Sequence, residues 1–222
     1  MDTDSKVLLR DFQKETIFSE FLDEPWLAVI NLPSIIKNIL LKESSFIDES
    51  AWIHPAACVH NSVIKCGAKV FEGATVRDSI ILPGATVGHG SEVARSIIGT
   101  EAMIPRMNYV GSSLLGFGVQ LGGLTMLASR RHDRRPVTLH WGLKRIELEV
   151  DQFGSIVGDG SVIAYCTHLN PGTVVAHDAW IMPHADMYGY TPPHTVTRSR
   201  ARVTRFEKPK DTRIIYEDSR DD

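Results

Sequence analysis

From Ile47 to Leu127 the apolar positions keep neither the helical period of 3.6 nor the strand period of 2. Ile47, Ile53, Val59, Ile64, Val70, Val76, Ile81, Val87, Val93, Ile98, Ile104, Val110, Leu115, Leu121 and Leu127 instead recur at steps of six, six and five. If half of all residues count as apolar, such a run arises by chance about once in 30,000 tries. The 17-residue sum of the steps has its own marker in Ser62-Val63-Ile64, Ser79-Ile80-Ile81, Ser96-Ile97-Ile98 and Ser113-Leu114-Leu115. Four residues after the aliphatic, the slot is usually small or short: Ala57, Val63, Ala68, Ala74, Ala85, Ser91, Ala102 and Thr125. A second block resumes six-residue steps at Val157, Ile163, Leu169, Val175, Ile181 and Met187, with Ser161, Thr167, Thr173, Ala179 and Ala185 in the small slot.

Six residues supply one short strand and a corner, and three such segments close a triangular coil with its aliphatics stacked inside. Successive coils lie at the strand spacing of about 4.8 Å. The small slot flanks the corner, where bulk would strike the next coil. The pattern predicts an all-β solenoid, a parallel β-helix of about six or seven coils, over residues 46–197. Its hand is not contained in the period.

Residues 1–45 lack the repeat and predict a short helical cap over the first coil. Pro25 and Pro33 suit first helical turns, Asp23 suits a cap, and Ile35, Ile36, Ile39 and Leu40 share one helical face. An excursion over 128–153 breaks the repeat, first with a basic loop, Ser129-Arg130-Arg131-His132-Asp133-Arg134-Arg135-Pro136. A two-stranded segment follows it, Val137–His140 and Ile146–Val150 around Trp141-Gly142. Long insertions at a solenoid corner are where function usually resides. Residues 198–222 are charged and read as a solvated tail.

The 222 residues carry 24 basic and 27 acidic side chains, a net charge of −3. No global positive field exists to hold nucleic acid or an anionic bilayer. Cys58, Cys66 and Cys166 are too few and scattered for a disulfide framework or a zinc pattern. With no leader-like start and no membrane-length apolar run, a cytoplasmic chain is expected.

The hexads, the run Asn108-Tyr109-Val110-Gly111-Ser112-Ser113-Leu114-Leu115-Gly116 and Leu169-Asn170-Pro171-Gly172-Thr173-Val174 together resemble the left-handed β-helix (hexapeptide-repeat) acyltransferases. The likeness runs from about residue 9 to 197. It is strongest to the acetyltransferase half of the bifunctional N-acetylglucosamine-1-phosphate uridyltransferase and its short stand-alone UDP-N-acetylglucosamine pyrophosphorylase-like relatives, which share a Pro25-Trp26 dipeptide. It implies left-handed winding, a homotrimer, acetyl-CoA as co-substrate and a sugar phosphate or nucleotide sugar as acceptor. No nucleotidyltransferase domain is expected, because no phosphate-cradling glycine loop precedes the repeat. Gly116-Phe117-Gly118, Gly122-Gly123 and Gly158-Asp159-Gly160 read instead as corner glycines.

By the same resemblance, Tyr109, Gln120, Arg131 and Arg95 contact substrate, and Gly123, Ala164 and Tyr165 lie along the coenzyme. The position of the family's basic histidine holds Arg106, whose guanidinium keeps its proton and cannot accept one from an attacking amine. Ala94 and Gln120 replace a phosphate-contacting lysine and an asparagine. Three readings follow: His132 on the excursion replaces the base; Arg106 binds an anion for other chemistry; or the scaffold persists without the reaction. The loop arginines either clamp phosphates or form a solvated surface. His54, His60, His89, His168, His177 and His184 do not share a slot suited to zinc catalysis, so no metal is expected. The enzyme reading is an N-acyltransferase linked to UDP-N-acetylglucosamine synthesis. The alternative is an inactive trimer that binds a sugar nucleotide or scaffolds a partner enzyme.

Overall fold

The structure, a computed structural model, describes residue 9, residues 16–41 and residues 45–199. The expected charged tail falls almost wholly outside the described residues. Three parallel sheets, here faces A, B and C, carry eight, eight and seven strands. Face A runs through Phe46–Ile47, Val63–Ile64, Ile80–Ile81, Ile97–Ile98, Leu114–Leu115, Ile156–Val157, Val174–Val175 and Tyr190–Thr191. Face B follows at Trp52–Ile53, Lys69–Val70, Thr86–Val87, Met103–Ile104, Gln120–Leu121, Val162–Ile163, Trp180–Ile181 and Val196–Thr197. Face C comprises Cys58–His60, Thr75–Arg77, Glu92–Ala94, Tyr109–Gly111, Met126–Leu127, His168–Leu169 and Asp186–Met187. The stack is thus one rung taller than the hexads suggest. In the last rung Thr191 and Thr197 pair with Val175 and Ile181, so no branched aliphatic marks it in the sequence.

The aliphatics of the repeat form one continuous core, from Ile64 through Ile98 and Leu127 to Ile181, nearly all fully buried. Each contributes about 1.5–3 kcal/mol by leaving water. The small slot is buried as expected, from Ala68 to Ala185. Val63 is the exception in kind, since the five-residue step moves it onto the outer side of face A.

That outer side explains the 17-residue Ser-aliphatic-aliphatic marker. Val63, Ile80, Ile97, Leu114, Ile156 and Val174 point outward yet are fully buried in a second cluster. The helices Trp26–Ile30 and Leu32–Leu40 and the hairpin Thr138–Trp141/Lys144–Glu147 cover them. Trp26 and Trp141 meet edge to face at 5.1 Å and join helix to hairpin. The serines form a buried ladder: the amide N–H of Ser79 donates to Ser62 Oγ, Ser96 to Ser79, Ser113 to Ser96 and Ser155 to Ser113, at 3.0–3.1 Å. Each ladder hydroxyl from Ser62 to Ser113 in turn donates to the carbonyl two residues earlier.

Several local expectations change. Pro25 occupies the cap of the helix Trp26–Ile30, with no side-chain capping bond, so Asp23 does not cap it. The second hairpin strand is Lys144–Glu147, displaced toward the Trp141-Gly142 turn. Among the proposed corner glycines Gly118 and Gly160 have positive φ, whereas Gly122 is required by close stacking: a Cβ there would lie 2.2 Å from the Tyr165 nitrogen.

Candidate functional site

The excursion leaves the corner between faces C and A and returns to face A at Ile156, so its loop overhangs the outer side of face C. Between them lies a cavity of about 610 Å³. Its floor is Met126, His168 and Asp186, paired in register on three consecutive rungs. Arg130, Arg131, His132 and Asp133 line it from the loop, and Asn170, Pro171 and Tyr188 close one side.

Arg131 grips Asp133 with both arms of its guanidinium, Nε at 2.8 Å and Nη2 at 2.6 Å. That bond holds the Asp133 carboxyl well below the usual carboxylate range and pushes the Arg131 guanidinium up. Arg130 pairs with Asp151 at 3.1 Å. Two of the four loop arginines therefore already face carboxylates, and the loop is less of an anion clamp than its sequence suggests. On the floor, Asn170 Nδ2 donates to Asp186 Oδ1 at 2.5 Å.

Behind Tyr188 stands His140, edge to face at 4.6 Å, 8% exposed, its Nε2 buried without a hydrogen-bond partner. Burial, and then the charge of Arg145, lower its pKa. A neutral ring is what such a nitrogen requires.

The structure sorts the residues singled out from sequence into five places. His132 and Arg131 share the cavity. Tyr109 sits on the same face one rung before Met126, its ring lying over Gly111, where a Cβ would come within 2.6 Å of the phenol oxygen. Arg106, Gly123 and Tyr165 stack on the other edge of face C, at the corner with face B. Arg106 is exposed there, the Arg106 carbonyl accepts from Leu124 N at 3.1 Å, and Cys166 N donates to the Gly123 carbonyl at 3.0 Å. Ala164 is the residue before Tyr165 on that corner. Gln120 points outward from face B. Arg95 lies at the C–A corner in a separate hollow of about 200 Å³ with Ser112, Val150 and Gln152, where Arg95 Nε donates to Ser112 Oγ at 3.2 Å.

Within this chain, then, Arg106 and His132 lie at opposite edges of face C. His168, Asp186 and Tyr188 escape a reading by motif. Counting the outward slot of face C across the 42-residue step would have found His168 and Asp186, since both share register with Met126.

An imidazole within reach of an acceptor amine can take its proton. The cavity offers two, His132 and His168, beside hydrogen-bonding side chains able to orient a polar ligand.

Residues 41–131 match the family model described as the GMPPB C-terminal domain, less than half of the chain. No curated protein matches the sequence. Among solved structures, the acetyltransferase domain of PglB from Neisseria gonorrhoeae, in complex with acetyl coenzyme A, is similar at 16% identity, with a TM-score of 0.30 over 75% of this chain and 61% of that one. PerB from Caulobacter crescentus, in complex with CoA and GDP-perosamine, is 15% identical, with a TM-score of 0.28 over 70% of this chain and 54% of that one. A hexapeptide transferase family protein from Anaplasma phagocytophilum is 17% identical, with a TM-score of 0.25 over 74% and 80% of the two chains. The chain thus spans less than two thirds of the length of the first two. Among the described residues no helix is long and apolar enough to cross a membrane.

Proposed function

We propose that this chain is a left-handed β-helix N-acyltransferase of the cytoplasm, acting as a homotrimer. It moves an acetyl group from acetyl-CoA to the amine of a phosphorylated or nucleotide-linked amino sugar, in UDP-N-acetylglucosamine synthesis or chemistry close to it. The observation that carries the reading is the cavity between loop and face C, which gathers His132 and His168 on the surface that also bears Tyr109.

In this reading the sugar amine attacks the thioester carbonyl, a C–N bond forms, and the C–S bond breaks. His132 accepts the proton lost by the amine and returns it to the departing thiolate. Arg131, held by Asp133, and Tyr109 orient the acceptor. Arg106, Gly123, Ala164 and Tyr165, at the far edge of face C, would lie along the coenzyme presented to a neighbouring copy. A site shared between subunits is the arrangement in which both edges serve one reaction.

The test is calorimetric titration with acetyl-CoA and with glucosamine 1-phosphate or a UDP-linked amino sugar, alongside an assay for free CoA. Turnover in the wild type should fall about 10²–10⁴-fold in His132→Ala, the usual worth of a general base. A wild type that binds neither ligand and releases no CoA would overturn it. The ion pairs Arg131–Asp133 and Arg130–Asp151 favour a second reading, since they satisfy the loop without a ligand. In that reading the chain is a non-catalytic trimer that binds a sugar nucleotide or organises a partner enzyme. Ligand binding without turnover, with Arg106→His gaining none, would select it.

A further inference from the structure

Away from that cavity, at the corner between faces A and B, the end of the stack gathers two histidines and an aspartate. His177 and Asp178 follow the strand Val174–Val175, and His194 follows Tyr190–Thr191 one rung later. The His194 amide donates to the His177 carbonyl at 3.3 Å, which seats one residue over the other. His177 Nδ1 lies 2.9 Å and His194 Nδ1 3.9 Å from Asp178 Oδ2, and the two imidazole rings stand 4.8 Å apart at 87°. One donor atom from each residue falls within 4.8 Å of the other two.

We propose that His177, Asp178 and His194 form a zinc-type divalent metal site that clips the last rung to the one before it. A tetrahedral ion about 2.0–2.2 Å from nitrogen and carboxylate oxygen needs donors about 3.3 Å apart. The two distances to Asp178 straddle that value. The His177 side chain is 10% exposed and fixed, whereas that of His194 is 69% exposed and has room to close the difference by rotation. Two imidazoles with one carboxylate suit zinc and its transition-metal neighbours, whereas magnesium and calcium prefer oxygen donors throughout. Water would complete the fourth position.

The place in the fold gives the site a purpose. On earlier rungs this corner slot holds Gly67, Gly84, Gly118 and Gly160 at positive φ, with Glu101 on one. The terminal rungs put Asp178 (φ 50°) and His194 (φ 54°) there instead, residue types that tolerate this left-handed conformation and that bring donor atoms to the corner. Among the described residues, the strands Tyr190–Thr191 and Val196–Thr197 have a neighbour on one side only. An edge of this kind frays or invites foreign pairing unless it is fastened, and metal binding contributes directly to folding stability.

The test uses the full chain, stripped by a chelator and titrated with Zn²⁺ alone against a zinc-binding dye, with amide hydrogen exchange read over residues 190–197. A single ion should bind, and His194→Ala and Asp178→Gly should each weaken it at least about tenfold, the scale on which even outer-shell partners of a metal act. Both variants fold readily by design, since His194 is exposed and glycine suits the slot. His54→Ala, whose Nδ1 only accepts from the Ala56 amide elsewhere on the stack, should bind as the wild type does. Zinc should slow exchange in the last rung of the wild type and leave His194→Ala unchanged. Absence of zinc uptake, uptake by His177→Ala and His194→Ala as tight as the wild type's, or uptake without slowed exchange would each overturn the proposal.

Discussion

Faces A and C share an inner side and differ on their outer one. Inside, both contribute the same column of branched aliphatics. Outside, face A presents Val63, Ile80, Ile97, Leu114, Ile156 and Val174 to helices and hairpin, and all six are fully buried, the exposed Phe46 of its first rung and the half-buried Tyr190 of its last apart. Face C presents Cys58, Thr75, Glu92, Tyr109, Met126, His168 and Asp186, a mixed and largely accessible column. A solenoid face closed on both sides is a strut, and one left open has room for chemistry. The excursion serves both, because its hairpin seals face A while its loop roofs a cavity on face C.

The sharpest way to break this comparison is by truncation on the two sides of one strand. Ile97→Ala, outward on face A, should cost about 2–5 kcal/mol, as much as Ile98→Ala inside. Met103→Ala, outward on face B and 50% exposed, should stay within about 0.5 kcal/mol. Denaturant unfolding measures all three, and a tolerated Ile97→Ala would deny that face A is a second core. Next comes the serine ladder: Ser96→Ala leaves the buried Ser113 amide without its acceptor and should lose about 1–3 kcal/mol.

A smaller change of opposite sign is expected at the open B–C corner. Leu124, 59% exposed, adopts φ 59°. Leu124→Gly relieves that conformation at the expense of a more flexible unfolded chain, for a net gain of about 0.5–1 kcal/mol, read as a higher Tm.

The subtlest effect is a slope. Because burial depresses the pKa of His140, the unfolded chain binds a proton there more readily than the folded one. The stability His140 contributes is therefore complete above the ordinary histidine pKa of about 6.5 and is lost as pH falls through the lower folded value. His140→Phe should flatten that acid limb in a series of melting curves. An unchanged limb would show that the ring is not held neutral.

The hexads were legible because every rung repeats one steric demand: an aliphatic inside, a small residue beside the corner. Wherever that demand is met by other residues, as at Thr191 and Thr197, legibility ends. The Ser-aliphatic-aliphatic echo was visible as a period, but its cause was not, since the helices and hairpin that bury Ile80 and Ile97 lie far from them in sequence. The candidate site was half legible for a similar reason. His132 and Arg131 announce themselves as a basic interruption, whereas His168 and Asp186 look like ordinary variable positions until the stack brings them under the loop.

By itself, then, the sequence determined the stacked coil, its inner column and the point where the chain leaves it, because these rest on contacts repeated at short, regular separations. Tertiary structure alone decided which face is sealed, which face is roofed, that Arg106 and His132 stand at opposite edges of face C, and that His177, Asp178 and His194 converge. Each of these depends on which rung lies over which, and the 42-, 18- and 16-residue steps of the second half replace the uniform 17 that a repeat would announce.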